Sequence, residues 1–450
     1  MRKLIDAVLE PIPEENRRIL AERRDELPPE LRVPWQAVGL HMPHCGFVMG
    51  PSYCSFTCTH CYLPKNANRA PLPSLEEMKE QIDANRRLLG HAGNLQITGG
   101  DVIDAYVRAG KSDQLIEVLR YATERGLVPM LMTHGQKLLE DPGLLDRLVT
   151  QGRMRKLAVH IDITQAGRPG YPRRELHHER ELHPLRQEFV DLILDSQKRT
   201  GIRFTAAHTV TVTEANLDSF GDIITWLLAD RRRLKAFSML SLQPEAAVGR
   251  TRFSAAPATP EATWEEVTRA LGQGGLAEDN LWFGHPSCSR MTTLLALFPE
   301  GRLLDTLPGD AESKRLRARL AAVFGGAGAR GAARGEALLR RVSLVARHPG
   351  CVLDLWRYGR HLAAREKVSR AALLWALMRR RVGALNIVQH NFMSSEEIRR
   401  GGPEVERRLA ACSFRGATRT ESGWQAMPMC SMNTDTRERL YSIAISQRAK

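Results

Sequence analysis

Cys54, Cys58 and Cys61 stand within eight positions of one another in SYCSFTCTHCYLP, residues 52–64, in a chain with only eight cysteines among 450 residues. Thiolates so closely spaced on one loop can converge on a metal. The gaps, three residues and then two, are not those of a structural zinc site, which takes four ligands and usually sets its cysteines in two close pairs. Three thiolates leave one coordination position unfilled by protein, and an unfilled position is where a metal does chemistry. A disulfide pair or three buried thiols are the alternatives that these residues leave open.

The elements that must position this loop alternate from residue 38 to about 244. VGLHMP (38–43), LQIT (95–98), VPMLMTH (128–134), KLAVHIDI (156–163), IRFTAAHTVTV (202–212) and AFSMLSL (236–242) read as strands. Amphipathic stretches at 74–89, 114–126, 138–151 and 188–199 separate them, the first opening on a capping box of Ser74 and Glu77. Strands alternating with helices imply βαβ units and a parallel sheet. Six units are too few for a closed eight-fold barrel. The expected fold class is therefore α/β, a partial (β/α)6 TIM-like barrel with a C-terminal, mostly helical extension. Parallel α/β folds bind ligands at the C-terminal ends of their strands. The cysteine loop follows the first strand region, and GGD (99–101) follows the second, so both would lie at that mouth.

Beyond residue 250 the pattern loosens. TWEEVTRAL (263–271) looks helical, FGGAGARGAARGEA (324–337) reads as flexible, and Arg- and Leu-rich helices are expected from 336 to 382. ALNIVQHNFMS (384–394) reads as one more strand and its turn. Three units follow: an N-terminal extension (1–37), a core (38–250), and a C-terminal substrate or lid domain (251–450).

Residues 310–415 hold 22 Lys and Arg against 9 Asp and Glu, a net of +13 out of +14 for the whole chain. Such a region suits RNA, a nucleotide-like or phosphorylated substrate, or an anionic membrane surface, and equally an Arg-rich solvated face. MRKLIDAVLEPIPEENRR has acids and prolines where a signal peptide needs an apolar run, and no stretch approaches the roughly 18 apolar residues of a membrane span. A cytoplasmic location is expected, where thiols stay reduced and serve as ligands or catalysts more often than as staples.

With three cysteines on a loop after the first strand of a partial barrel, the sequence resembles the radical S-adenosylmethionine superfamily. The motif there, C-x3-C-x-aromatic-C, is met by Cys54, Cys58 and Cys61 with His60 in the aromatic slot. The resemblance implies that the thiolates bind three irons of a [4Fe–4S] cluster and that the fourth iron takes the amino and carboxylate groups of S-adenosylmethionine. Reduction then splits the sulfonium to a 5′-deoxyadenosyl radical, the cofactors carrying the difficult chemistry. LQITGGD resembles the family's GGE segment. Gly99 and Gly100 would let backbone approach the methionyl end, and Asp101, in place of the more usual Glu, would receive its ammonium. HID (160–162) aligns with ribose-contacting residues, Asp162 first and His160 second, and Asn216 ends the segment TVTVTEAN that would flank adenine. Strand-end polar side chains or an Asn helix cap are the equal alternatives for these positions. QPEAAVGR (243–250) is similar to members of the family without an individual role. The implied partner is a reductant such as flavodoxin or ferredoxin. The resemblance spans roughly residues 38–250 and names neither a substrate nor a catalytic residue.

Many members of this superfamily carry an auxiliary iron–sulfur cluster in a C-terminal extension. Cys288, Cys412 and Cys430, each alone in a turn-like context, look like its ligands, with Cys351 as a fourth. Buried thiols are the equal alternative, and Cys45 reads as buried. The leading expectation is an enzyme that abstracts hydrogen from an unactivated carbon, its substrate a lipid or another phosphate-bearing molecule in view of the basic region. RNA modification ranks lower because charge alone supports it. A non-catalytic iron–sulfur electron carrier would have no use for GGD.

Overall fold

Six strands running in one direction lie side by side in chain order: β1 (Cys45–Met49), β2 (Asn94–Thr98), β3 (Val128–Thr133), β4 (Lys156–His160), β5 (Thr205–Val212) and β6 (Phe237–Pro244). Every neighbouring pair among them is parallel. The structure is a computed structural model that describes residues 2–90, 94–251, 257–272, 280–299, 301–327, 334–379 and 381–448. Side chains alternate across each strand. Leu95, Ile97, Leu131, Leu157, Val159, Val210 and Leu242 on one face join the main apolar core. Gln96, Thr98, Met132, His160, Thr211 and Gln243 on the other face line an open cavity. This inner row, polar apart from Met132, keeps the centre from filling with core.

Five of the six expected strands coincide with these, but the first does not. VGLHMP makes a turn in which Gly39 has φ of 82° and its N–H donates to the Met42 carbonyl at 2.8 Å. Its apolar residues mimic a strand because Val38 packs with Leu27 and Leu31 in a small satellite core. The true first strand starts at Cys45, which is buried within it. The expected helix 138–151 is two helices, Gln136–Glu140 and Pro142–Thr150, parted at Asp141, whose carboxylate accepts the Leu144 N–H at 3.3 Å.

The helices needed below are α1 (Arg2–Leu9), α2 (Leu75–Leu89), α3 (Val102–Arg108), α4 (His183–Thr200), α5 (Arg334–Arg347), α6 (Gly350–Arg365), α7 (Arg370–Met378) and α8 (Pro403–Ala410). The expected capping box opens α2: Glu77 N–H donates to Ser74 Oγ at 3.1 Å, and Ser74 N–H donates to the Glu77 carboxylate at 2.6 Å. Of the segment 324–337, residues 328–333 lie outside the described residues.

The C-terminal half supplies strands as well as the expected helices. These are β7 (Leu281–Trp282), β8 (Ser289–Leu297), β9 (Arg302–Asp305), β10 (Val382–His390), β11 (Phe414–Thr420) and β12 (Gly423–Pro428). All twelve belong to one mixed sheet in the order β12-β11-β1-β2-β3-β4-β5-β6-β10-β8-β7, with β9 on β8. β10 adds to β6 and β11 adds to β1, both parallel, so the late strands extend the sheet at each edge. The ladder stays open. Its two edges are tied where Ser413 Oγ, just before β11, donates to the Phe283 carbonyl, just after β7, at 3.2 Å.

One buried polar group holds β4, β5 and α4 together. Arg186 of α4, with no exposed surface, donates to the Glu179 carboxylate and carbonyl, and its Nε donates to His208 Nε2 at 2.9 Å. Asn216 and the Ile163 N–H donate to Glu179 at 2.9 and 3.1 Å, so this buried carboxylate is met from three directions. Burial, and then the Arg186 charge, hold His208 far below the usual histidine range. The unfolded chain's His208 takes a proton near pH 6.5 while the folded one stays neutral, so stability falls as pH drops below about 6.5. In His208→Gln, whose amide oxygen still accepts from Arg186, this dependence should flatten by up to about 1.4 kcal/mol per pH unit between about pH 6.5 and 5. Denaturant unfolding across that range measures it. An unchanged slope would mean that His208 is charged in the fold.

Candidate functional site

β1 delivers the chain into the cysteine loop, and the loop is fastened from several directions. The Asn68 side chain accepts from Cys54 N–H at 3.2 Å and donates to its carbonyl at 3.0 Å. Ser55 N–H donates to Asp104 at 3.0 Å, and Thr57 N–H to the Ala166 carbonyl at 2.8 Å. From the segment after β6, Arg250 N–H donates to the Cys61 carbonyl at 3.1 Å, and its guanidinium lies 3.6 Å from Cys61 Sγ. Gly249 has no room for a side chain there, because a Cβ would stand 2.1 Å from the Tyr62 carbonyl oxygen.

GGD packs against the loop's entry. A Cβ on Gly99 would meet the Pro51 carbonyl oxygen at 2.1 Å, and one on Gly100 the Tyr53 oxygen at 1.9 Å. Gly100 and Asp101 N–H groups donate to those two carbonyls at 2.8 and 2.9 Å. The glycines are therefore required by this backbone contact, neither of them having positive φ. Asp101 caps α3 by accepting Asp104 N–H at 2.8 Å, and it also accepts from Thr133 Oγ1 at 2.7 Å and His134 N–H at 2.6 Å. His134 stacks on Phe56 at 3.7 Å, and the Arg168 guanidinium lies 5.1 Å from the Phe56 ring.

Cys54, Cys58, Cys61, Gly99 to Asp101 and His160 line one cavity of about 1310 Å³ at the C-terminal ends of β2 to β6. His60 lines it too, its Nδ1 2.8 Å from the fully buried Glu245 carboxylate. His160 Nε2 is 2.6 Å from Asp162, which sits behind it and also accepts from Thr164 and Thr211 N–H at 2.9 Å. Burial alone would raise Asp162, but His160 and these donors outweigh it and hold the carboxyl down to about 2. Asp162 thus stands as a fixed anion that orients the cavity-facing imidazole. Asn216 does not line the cavity; it lies in the Arg186–Glu179 cluster.

Burial, with Asp101 next, pushes the Cys54 thiol upward, and burial pushes Cys58 up to about 11. Such thiols ionise only against a nearby cation. Among the described residues, no three His, Cys, Asp or Glu side chains stand close enough to share a single metal ion. A loop that brings three thiols to one cavity wall, its imidazole of His60 already engaged with Glu245, fits an iron–sulfur cluster better than a lone ion.

The later cysteines also converge. Cys288, Cys412 and Cys430 line a second, small cavity of about 380 Å³ together with His390 and Arg408. Arg408 Nε lies 3.3 Å from Cys288 Sγ, and Cys412 Sγ is 3.1 Å from the Phe414 carbonyl. Cys351 is elsewhere, buried at the start of α6. All eight cysteines are free of disulfides. Phe392 and Met429 line both cavities and form the wall between them.

No family model and no curated protein matches this chain. Solved structures that align with it include hexahistidine-tagged anSMEcpe with bound AdoMet, at 12% identity over 50% of this chain and 58% of that one, with a TM-score of 0.35. Native anSMEcpe with bound AdoMet and Cp18Cys peptide aligns with the same identity and coverage at a TM-score of 0.34. The chain spans 58% of the length of each of these structures.

Sequence reasoning missed His134, Arg168, Glu245 and Arg250. His134 and Glu245 directly follow β3 and β6, so the rule that placed GGD at the mouth would have placed them there as well. Arg168 lies in the long connection after β4, where spacing gives no such signal. Replacing Gly100 by Ala should cost roughly 1–3 kcal/mol or more, because the new Cβ meets backbone that cannot rotate away. Thermal unfolding of Gly100→Ala beside Gly350→Ala, where φ is not positive and a Cβ meets nothing within 4 Å, measures it. Equal losses at the two sites would overturn the close-contact account.

Proposed function

We propose that this chain is a radical S-adenosylmethionine enzyme. Its centre is a partial (β/α)6 barrel that holds a [4Fe–4S] cluster on Cys54, Cys58 and Cys61, with S-adenosylmethionine in the adjoining cavity. The observation that carries the reading is the meeting of the three thiols with GGD and His160 on one cavity at the ends of parallel strands. Bound there, the cluster and S-adenosylmethionine supply a 5′-deoxyadenosyl radical able to take hydrogen from an unactivated carbon. The chain's own residues do the orienting. Arg250 offsets thiolate charge at Cys61. Gly99 and Gly100 hold the cysteine loop's entry close, and Asp101 adds a buried negative charge facing a ligand ammonium. His160, steadied by Asp162, offers a ring nitrogen to a ribose hydroxyl. Phe392, Met429 and Asn433 from the C-terminal half cover the cavity and limit water.

A second cluster belongs to the same reading, held by Cys288, Cys412 and Cys430. His390 stands where Cys351 was expected. Its Nδ1 lies 3.3 Å from Ser289 Oγ, which leaves Nε2 for a metal, and burial lowers its pKa to about 4 so that the ring is neutral. The substrate in this reading is a lipid or another phosphate-bearing molecule, in keeping with the basic C-terminal half, and the electron comes from a flavodoxin- or ferredoxin-type donor.

Anaerobically reconstituted protein given dithionite and S-adenosylmethionine should form 5′-deoxyadenosine, and the variant with Cys54, Cys58 and Cys61 all changed to Ala should form none. Formation by that variant would refute the assignment, and no formation by the intact protein would leave an electron carrier. Iron content separates the second cluster from the first: about eight irons per chain in the intact protein and about four in the triple variant, from two four-iron clusters. Further replacement of Cys288, Cys412 and Cys430 by Ser should remove the remainder. A triple variant already near zero would mean that there is no second cluster.

A further inference from the structure

Among the described residues, eleven of the thirteen exposed large apolar side chains lie on just four helices, α1, α5, α6 and α7. Scattered exposed apolar residues are ordinary, but such a concentration marks an interaction face. On α6, Val352, Leu353, Leu355 and Trp356 are 46 to 52% exposed, and their spacing puts them on one side of the helix. Leu338 and Val342, one turn apart, do the same on α5. α1 adds Leu9 and is pinned to α5 by Ser343 and Arg347, which donate to its Val8 carbonyl at 2.8 and 2.9 Å.

Charge says what this face meets. Residues 334–381 carry twelve Lys and Arg against three acids. Each acid is spent inside the fold: Glu336 on Arg340, Asp354 on Arg319 and Glu366 on Arg365, their side chains only 14 to 15% exposed. What solvent sees is thus apolar residues mixed with cations that outnumber the acids. The tryptophans carry this mixture within single contacts. Arg360 lies 4.5 Å from the Trp356 ring, and Arg381 lies 4.6 Å from that of Trp375. Aromatic rings beside guanidinium groups suit the boundary between lipid headgroups and acyl chains.

We infer that α1, α5, α6 and α7 form a docking face for an anionic lipid bilayer, with the apolar side chains entering the acyl boundary and the Arg side chains staying among the headgroups. RNA would use the cations but gain nothing from exposed Val and Leu. No helix among the described residues is long and apolar enough to cross a membrane, so the contact is peripheral.

The test is co-sedimentation of the full chain with vesicles of phosphatidylcholine alone and with about one-third phosphatidylglycerol. Binding is expected to the anionic vesicles only and to weaken as salt is raised. Leu353→Glu with Trp356→Glu should lower the partition coefficient at least about tenfold while the melting curve stays unchanged. Trp356→Phe should retain binding. No binding by the intact chain, equal binding to both vesicle types, or full binding by the Glu variant would each overturn the inference. So would displacement from the vesicles by single-stranded RNA, or a dimer in sedimentation velocity that the Glu variant loses.

Discussion

Two stretches of bare backbone, Gly99–Gly100 and Pro51–Tyr53, touch where no side chain fits between them, and the site is built outward from that contact. It fixes the entry of the cysteine loop against the end of β2. Asp101, the next residue, then reaches across to the end of β3 and caps α3 in the same step. A carboxylate accepting three protein donors has little freedom to move, so the wall it forms is preorganised rather than gathered by a ligand. From the opposite side, Gly249 and Arg250 close on the loop with the same device, a glycine that admits backbone and a cation beside a thiol.

The polar inner row along β2 to β6 explains why a cavity exists here at all. A parallel sheet covered on both faces by apolar side chains would fill its centre. Threonines, glutamines and His160 on one face instead need hydrogen-bond partners, and the packed apolar groups opposite them carry the stability. Even the two histidines of adjacent strands divide this way. His160 looks into the cavity with Asp162 behind it, while His208 faces the helices and is held neutral under Arg186.

Much of this was legible in the sequence because it rests on local signals. Strand runs, the Ser74 capping box and the cysteine spacing are read within a few residues, and the rule for strand ends carried GGD and the cysteine loop to one mouth. VGLHMP failed because Val38, buried at the start of a turn, gives the same signal as a buried strand residue. β11 and β12 gave little signal, since FRGATRT and GWQAMP have few aliphatic residues and owe their pairing to neighbours more than 300 residues away in the case of β1. Asp162 and His160 are ranked through the resemblance alone, whereas their places depend on strand alternation, which puts His160 in the cavity. That Cys288, Cys412 and Cys430 share one small cavity with His390 follows from no local signal. His390 ends a strand, Cys351 starts a helix, and only the fold tells which of them is near Cys288.

The C-terminal half is bound into the centre through backbone. β1 has β2 on one side and β11 on the other, and β6 has β5 and β10, so neither end of the six-strand run is a free edge. Unpaired edges invite association with other chains, and two added parallel strands, each backed by an antiparallel partner, remove both at once. The same additions carry Phe392 from the end of β10, and Met429 from the end of β12, over the main cavity. Because those two side chains also wall the second cavity, any shift of β10 or β12 must be felt at both. Extending the six-strand run at both ends and covering its mouth are therefore done by the same strands, and Cys288, Cys412 and Cys430 sit together at the ends of β8, β11 and β12.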